Sequence, residues 1–159
     1  METIRRKTAA LIATSCRLGG MLSDAEPEHV DVLERFGEAL GTGFQLSDDI
    51  MDVTSTEREL GKVPGVDIKE GVYTLPVIQA LELSGELREL LAKGPPDGEA
   101  LVRAVELTAS DGSLHRAREA VTREVRVATD LAGRLPDGAP RTALVHLSAF
   151  IASRCGAEA

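Results

Sequence analysis

The sequence predicts an all-α protein, a helical bundle, and three observations support that fold class. Hydrophobic residues make up 43% of the 159 residues and aromatic residues only 3%, so the core must consist of Leu, Ala, Val and Ile. A composition rich in Ala, Leu, Glu and Arg favours helices. Apolar residues recur three or four positions apart in successive segments, and no segment shows a strand pattern. The length predicts a single domain over residues 1–159.

The first predicted helix covers residues 4–22 and contains no proline. Its apolar residues recur at helical spacing, and Leu11 is expected to face the core together with Lys7 and Thr8. The pair Gly19-Gly20 predicts that the helix ends there or shortly after.

The second predicted helix is long, over about residues 28–53, and Pro27 suits its first position. It contains Gly37, Gly41 and Gly43, each of which weakens a helix by up to ~1 kcal/mol relative to Ala. That cost is usually tolerated where another helix or a ligand comes close. We therefore expect a close neighbour along this helix.

The remaining chain predicts a polar loop at 54–66, a turn at 67–71 and five further helices. Pro76 lies in the first turn of one of them, and Asp97 and Ser113 are the expected N-caps of two others. In the last helix, Leu147 is among the residues expected to point inward. The five helices are predicted at 74–83, 86–93, 98–109, 114–135 and 141–154.

Charge and cysteine content restrict the function classes. The net charge of −8 and the absence of a basic stripe with interleaved aromatics argue against a nucleic-acid binder. Cys16 and Cys155 have no metal-ligand spacing, and two distant thiols without a signal peptide predict a reduced, cytoplasmic protein. No apolar run reaches the ~18 residues that a membrane span needs, so we expect a soluble chain.

The stretch GFQLSDDIMD contains three carboxylates, Asp48, Asp49 and Asp52. On a helix, Asp48 and Asp52 share one face, and Asp49 lies one residue further round. Like charges at ~4 Å repel by about 4 kcal/mol at an effective dielectric of ~20, so a cation or a raised pKa must compensate. Oxygen ligands without His or Cys favour a hard ion such as Mg²⁺, usually shared with a substrate phosphate. The commoner structural explanation is a solvated acidic turn.

Four further features accompany the three aspartates in the sequence: Lys7-Thr8, Phe44-Gln45, Lys62 and Asp67. Lysines and a metal held by carboxylates can together bind a diphosphate. Each feature taken singly also has a plain structural explanation, since lysines are commonly surface residues and Phe44 is a natural core residue. The case for a site depends on their combination.

Three motifs in order and spacing, KTAALI, GFQLSDDIMD and LGKVPGVDIKEGVYTLPVIQAL, resemble the C-terminal half of a trans-isoprenyl (polyprenyl) diphosphate synthase. The ending ALVHLSAFIASR resembles the last helix of that family, so the resemblance covers nearly the whole chain. It implies the all-α fold of the isoprenoid synthases, without the N-terminal helices. It also implies a prenyltransferase that ionises an allylic diphosphate and joins the carbocation to isopentenyl diphosphate.

The resemblance also implies roles for individual residues. The three aspartates of the acidic stretch match the second aspartate-rich motif, which holds Mg²⁺ against the allylic diphosphate. The residues that match contacts to the diphosphate or to the reacting end of its chain are Lys7, Thr8, Phe44, Gln45 and Lys62. We expect Lys7 and Asp48 to face one cleft between two packed helices.

Two departures from the family pattern matter. Val72 stands where many relatives carry a lysine, so one diphosphate contact is missing. The first aspartate-rich motif and the isopentenyl diphosphate site have no counterpart in this sequence. The chain is therefore a fragment, one subunit of a split synthase, or a degenerate paralogue kept for dimerisation or regulation. We expect a homodimer, or a partner chain that carries the first motif, and little turnover without the missing half.

Two other classes compete with this interpretation. A terpene cyclase uses a similar acidic motif, but its second metal motif of the Asn/Ser/Glu kind is absent from the sequence. A plain helical interaction module would explain the apolar periodicity but not the cluster of LGK (residues 60–62) and GVD (residues 65–67). Such a module predicts no Mg²⁺-dependent diphosphate binding.

Overall fold

The computed structural model describes residues 4–56 and 63–157, and every regular element in these residues is helical. The all-α class is therefore confirmed. A π-helical turn, Arg5–Ala9, leads directly into helix α1 (Ala10–Leu22). Seven further helices follow in the described residues: α2 (Pro27–Thr54), α3 (Val66–Lys69), α4 (Leu75–Leu83), α5 (Gly85–Leu91), α6 (Gly98–Thr108), α7 (Asp111–Ala132) and α8 (Ala139–Arg154). Two compact units are present, the first formed by Met1–Ser47 with Ala120–Ala159 and the second by Asp48–Glu119.

In the first unit, the backbone of the N-terminal helical segment lies directly against α2. A Cβ atom added at Gly37 would lie 2.7 Å from the Cα atom of Ala13, and one added at Gly41 would lie 2.7 Å from the Cα atom of Ala9. No side chain fits at such separations, because the nearest atoms belong to backbone that cannot move aside. These two glycines therefore mark a close helix approach, as the sequence predicted. We call Ala9, Ala13, Gly37 and Gly41 together the glycine seam.

The glycine seam continues at its far end through Cys16 and Gly20. A Cβ atom at Gly20 would lie 2.9 Å from the Cδ1 atom of Leu33 on α2, so Gly20 also serves close packing. Helix α1 continues through it and ends at Leu22, shortly after the glycine pair as expected. Burial raises the pKa of the Cys16 thiol above its ordinary value, because the charged thiolate is disfavoured away from water.

The part of α7 from residue 120 onward and helix α8 complete the first unit. A Cβ atom at Gly43 on α2 would lie 3.5 Å from the Cβ atom of Glu124 on α7 and 3.8 Å from Ile151 on α8, which is ordinary contact. The apolar residues of α7 that this unit contains are buried where the sequence pattern predicted them, at Val121, Val125, Ala128 and Leu131.

In the second unit, α6 packs against α3, α4 and α5. Buried apolar residues fill this core, namely Ile68, Val77, Ala80, Leu87, Leu91, Leu101 and Ala104. An exposed bidentate ion pair joins α6 to α5, with Arg103 Nε 2.7 Å from Glu86 Oε1 and Arg103 Nη2 2.9 Å from Glu86 Oε2. The hydrogen bond from Arg103 lowers the pKa of Glu86 below its ordinary value.

Several predicted helix boundaries are confirmed. Pro27 is the first residue of α2, and Pro76 is the second residue of α4, where its missing amide donor does no harm. Asp97 occupies the N-cap position of α6 with extended backbone, although its side chain forms no capping hydrogen bond.

Three local predictions are wrong. Ser113 lies inside the first turn of α7 and is buried, and its hydroxyl donates to the carbonyl oxygen of Thr108 (2.5 Å) because a buried hydroxyl must find a partner. Leu11 is 72% exposed, because the small residues of the glycine seam occupy the opposite face of its helix. Leu147 on α8 is likewise exposed.

The glycine seam leads to a test of the fold. Gly37→Ala places a Cβ atom where the Cα atom of Ala13 and the Sγ atom of Cys16 already lie, so we expect a loss of about 2 kcal/mol in the free energy of unfolding, measured by urea denaturation.

Gly19→Ala is the matched control, because a Cβ atom there would meet nothing within 4 Å. We expect that variant to be unchanged or more stable by up to about 1 kcal/mol, since Ala is the better helix former. Equal losses in both variants would contradict the steric role of the seam.

Candidate functional site

The π-helical turn Arg5–Ala9 contains two of the residues predicted to bind substrate, Lys7 and Thr8. Lys7 is exposed, while Thr8 is half-buried and donates a hydrogen bond from Oγ1 to Oε1 of Gln45 on α2 (2.7 Å). π-Helical turns are rare and are frequently found at functional sites. The structure thus brings together two predicted site residues that lie 37 positions apart in the sequence.

The glycine seam explains why this hydrogen bond forms. Thr8 immediately precedes Ala9, whose Cα atom would lie 2.7 Å from a Cβ atom on Gly41. Gln45 stands one helical turn after Gly41, on the same face of α2. Because the two backbones are so close at Ala9, the short Thr8 side chain is long enough to reach the amide of Gln45.

Phe44, the residue before Gln45, contacts the end of the last helix. The guanidinium carbon of Arg154 lies 4.8 Å from the centroid of the Phe44 ring, within the range of a cation–π interaction. The sequence alone predicts no role for Arg154, because a basic residue in the last turn of a helix is ordinary in any protein. No local pattern in the sequence indicates that α8 returns to this part of α2.

The three aspartates of the acidic stretch lie in the C-terminal part of α2. Asp49 and Asp52 are buried, and Asp48 is half-buried. Burying carboxylates is costly unless they are paired, hydrogen-bonded or bound to a cation. These side chains therefore differ from the solvated acidic turn that was the alternative explanation.

Asp52 also fixes the segment that follows the acidic helix in the second unit. Its backbone carbonyl oxygen accepts the amide of Gly65 at 2.8 Å, and its Oδ2 atom accepts the amide of Asp67 over a longer 3.4 Å. Gly65 has a φ of 81°, which favours glycine. The GVD motif thus folds back onto the end of α2, next to a predicted metal ligand.

The chemistry of these donors fits Mg²⁺. The predicted ligands Asp48, Asp49 and Asp52 offer only carboxylate oxygens, which suit a hard divalent cation. Among residues 4–56 and 63–157, no group of three or more His, Cys, Asp or Glu side chains could hold a metal ion by itself. A magnesium ion that is shared with substrate phosphates needs only one or two protein carboxylates, so this finding is compatible with such a site.

Two predicted features remain predictions. Lys62 lies outside the described residues, and the expected cleft that Lys7 and Asp48 would share is untested.

Val72 is exposed, and its amide donates to the carbonyl oxygen of Asp67 at 2.8 Å. At this position the chain offers an apolar side chain and no cation. In the part of the chain that the structure describes, no helix has the length and apolar character of a membrane span.

Comparisons with known proteins agree on one family. Residues 1–108 match the polyprenyl synthetase family. The chain is 41% identical to nonaprenyl diphosphate synthase of Mycobacterium tuberculosis, over 98% of this chain and 48% of that enzyme. It is 37% identical to heptaprenyl diphosphate synthase component 2 of Geobacillus stearothermophilus, over 97% of this chain and 48% of that protein.

A solved structure has the same fold. The geranylgeranyl pyrophosphate synthase of Corynebacterium glutamicum, complexed with calcium and isoprenyl diphosphate, matches with a TM-score of 0.85 and 39% identity. The match covers 96% of this chain and 48% of the C. glutamicum chain. The 159 residues therefore span about half the length of the relatives that they match.

Gly65 provides a test of the contact between Asp52 and the GVD motif. A Cβ atom at Gly65 would overlap with Val105 Cγ2, and the positive φ is itself strained for other residues. We expect Gly65→Ala to lower the free energy of unfolding by about 2 kcal/mol. Hydrogen exchange at the amides of Gly65 and Asp67 should rise in parallel.

Gly98→Ala is the control, since Gly98 also has a positive φ of 50° but open space around its Cβ position. A loss at Gly98 as large as that at Gly65 would show that backbone conformation alone is responsible.

Proposed function

The chain belongs to the polyprenyl synthetase family, and we propose that it supplies the half of a prenyl diphosphate synthase that holds an allylic prenyl diphosphate through Mg²⁺. The observation that carries this proposal is the 2.7 Å hydrogen bond from Thr8 to Gln45. It brings two residues with predicted substrate contacts to one place, beside the exposed Lys7 in a π-helical turn. A plain helical module would not need this arrangement.

In the proposed reaction, each residue of the chain binds or orients the substrate. Lys7 and Lys62 place ammonium groups near the diphosphate, where negative charge accumulates as the allylic bond breaks. Thr8 fixes the amide of Gln45, so that this amide is oriented before the substrate binds. The catalytic residues are thus Lys7, Thr8, Gln45 and Lys62, all acting through binding and charge.

Phe44 completes the substrate-binding set. Its ring is held by the contact with Arg154, which favours one orientation of the aromatic side chain beside Gln45. An ordered aromatic surface next to a diphosphate site suits the apolar reacting end of a prenyl chain.

Asp48, Asp49 and Asp52 are the proposed metal-binding residues. When bound there, Mg²⁺ would neutralise the charge of the diphosphate leaving group. The solved C. glutamicum relative was crystallised with calcium and isoprenyl diphosphate, which supports a divalent cation and a prenyl diphosphate as ligands of this fold.

The second substrate, isopentenyl diphosphate, is proposed to need the half that these residues do not include. The relatives are about twice as long as the matched region, and one relative is named as component 2 of a synthase. In the proposed reaction the allylic carbocation forms a bond with isopentenyl diphosphate, and the departing diphosphate accepts the proton. A partner that carries the first aspartate-rich motif would complete the cavity.

The metal site can be tested by calorimetric titration of inorganic diphosphate in the presence of Mg²⁺. We expect Asp48→Asn to weaken Mg²⁺-dependent binding by more than ~1 kcal/mol, because a charge-assisted ligand is lost. Asp31→Asn is the control, since Asp31 is an exposed carboxylate on the same helix. Unchanged affinity in Asp48→Asn, or an equal loss in Asp31→Asn, would refute the assignment.

Turnover by the chain is a separate test. We expect the purified 159-residue protein alone to incorporate little or no labelled isopentenyl diphosphate into an allylic primer. Incorporation should appear when a protein that carries the first aspartate-rich motif is added. Full activity without a partner would contradict the half-site proposal. Diphosphate binding that never leads to turnover with any partner would instead favour a regulatory subunit that dimerises with a complete synthase.

A further inference from the structure

Val72 is connected through the backbone to a predicted metal ligand. Its amide donates to the carbonyl oxygen of Asp67 (2.8 Å), and the amide of Asp67 donates in turn to Oδ2 of Asp52 (3.4 Å). These two consecutive hydrogen bonds keep the amide nitrogen of Val72 within about 10 Å of the Asp52 carboxylate. All three residues belong to the second compact unit.

The end of helix α3 fixes the position of residue 72. Besides the bond from Val72 to Asp67, the amide of Gly71 donates to the carbonyl oxygen of Ile68 (3.0 Å), and Gly71 has a φ of 75°. Two such bonds around a left-handed glycine form a Schellman motif, which terminates many helices. The backbone therefore sets the place of residue 72 relative to Asp67, and any substitution that retains its amide can keep this bond.

Packing is the simplest explanation for a valine at this position. The second residue after a helix that ends in a Schellman motif is often apolar, because it packs against the last helical turn. Val72 is nevertheless 48% exposed, so only part of it can serve such packing. The exposed part presents an apolar surface to solvent close to a group of carboxylates.

The stretch around Asp52 is strongly acidic. Residues 48–73 contain seven acidic and three basic residues, so their net charge of −4 is half of the −8 of the whole chain. A diphosphate is itself a polyanion, and such a stretch repels it unless positive charge lies between them. In the described part of 48–73, Lys69 is the only basic residue, and it stands two positions from Asp67, on a different face of α3.

We propose that Val72 is a specificity-determining residue that makes diphosphate binding by this chain strictly dependent on a divalent cation. The proposal rests on the proposed function, since it takes diphosphate as the bound group and the aspartates as metal ligands. A valine at this position places no positive charge within about one Debye length of Asp52, which is about 10 Å at roughly 0.1 M salt. Diphosphate then binds only together with the metal ion, and metal-free polyanions are excluded by the same repulsion.

The test is calorimetric titration of inorganic diphosphate into the 159-residue chain, at a series of Mg²⁺ concentrations and in EDTA. Val72→Lys adds one ammonium group near Asp52 and retains the backbone amide. Val72→Met controls for the longer side chain without a charge. Val102→Lys is the matched charge control, because Val102 on α6 is also an exposed valine of the second unit (60%).

We expect the parent chain to bind diphosphate in Mg²⁺ and not in EDTA. Val72→Lys should bind diphosphate in EDTA as well, and its half-saturating Mg²⁺ concentration should fall about threefold or more, because the ammonium group replaces part of the metal charge. Both control variants should behave as the parent does. Unchanged Mg²⁺ dependence in Val72→Lys, an equal gain in Val102→Lys, or equal binding by the parent in Mg²⁺ and EDTA would each overturn the proposal.

Binding of Mn²⁺ alone, followed by water proton relaxation, gives a second measurement with the opposite sign. Without diphosphate, the added ammonium group repels the metal ion, so Val72→Lys should weaken Mn²⁺ binding by about threefold or more. Partial unfolding would weaken both ligands, and it therefore cannot produce a gain for diphosphate with a loss for Mn²⁺. Unchanged Mn²⁺ affinity in Val72→Lys would contradict the proposed electrostatic coupling.

Failure of this proposal can be distinguished from failure of the proposed function. Mg²⁺-dependent binding that Asp48→Asn weakens, but that Val72→Lys leaves unchanged, would retain the metal site and overturn the role of Val72. The expected changes in Val72→Lys, together with no effect of Asp48→Asn, would support the role of Val72 and refute Asp48 as a ligand. No binding of diphosphate by the parent in Mg²⁺ would overturn both.

Discussion

The approach of α1 to α2 leaves no room for a side chain at Gly37 or Gly41. Backbone faces backbone there, with Ala9 and Ala13 on the opposite helix, and the separation is set by atoms that cannot rearrange. Packing of this kind determines the relative position of two helices more strictly than contact between long side chains, which can change rotamers. The rest of the candidate site in the first unit depends on this separation.

One face of α2 carries both the packing and the proposed chemistry. Gly37, Gly41 and Gln45 follow one another at intervals of one turn, and the first two of the three aspartates lie in the next turn. The same helix that is fixed by its glycines presents the amide that receives Thr8. Because α2 is continuous over Pro27–Thr54, a displacement at the seam would change the position of Gln45 directly. This is a physical reason for placing helix-weakening glycines in a helix that carries functional residues.

The sequence was sufficient for the helical class, the proline-marked helix starts and the close approach at the glycines, since each depends on local chemistry. It was not sufficient for the direction of Leu11, because apolar periodicity does not distinguish a face buried by Ala and Gly from a face of exposed leucines. Ser favours the N-cap position, which predicts Ser113 as a cap, but in the fold its buried hydroxyl donates to the carbonyl oxygen of Thr108. The contact of Arg154 with Phe44 joins residues distant in sequence, and no spacing rule connects them.

The π-helical turn has a consequence for how the N-terminal segment could change. A π turn accommodates one residue more than an α turn, so removing one residue from positions 5–8 would restore a regular α-helix with Ala9 and the glycine seam in place. Residues on either side of the turn would keep their faces of the helix, because the turn itself absorbs the extra residue. Only the side chains within the turn would change direction, and these include Lys7 and Thr8. A one-residue length change would thus separate the binding role of this segment from its structural role, which makes the turn a site where related chains can diverge in activity while keeping the same fold.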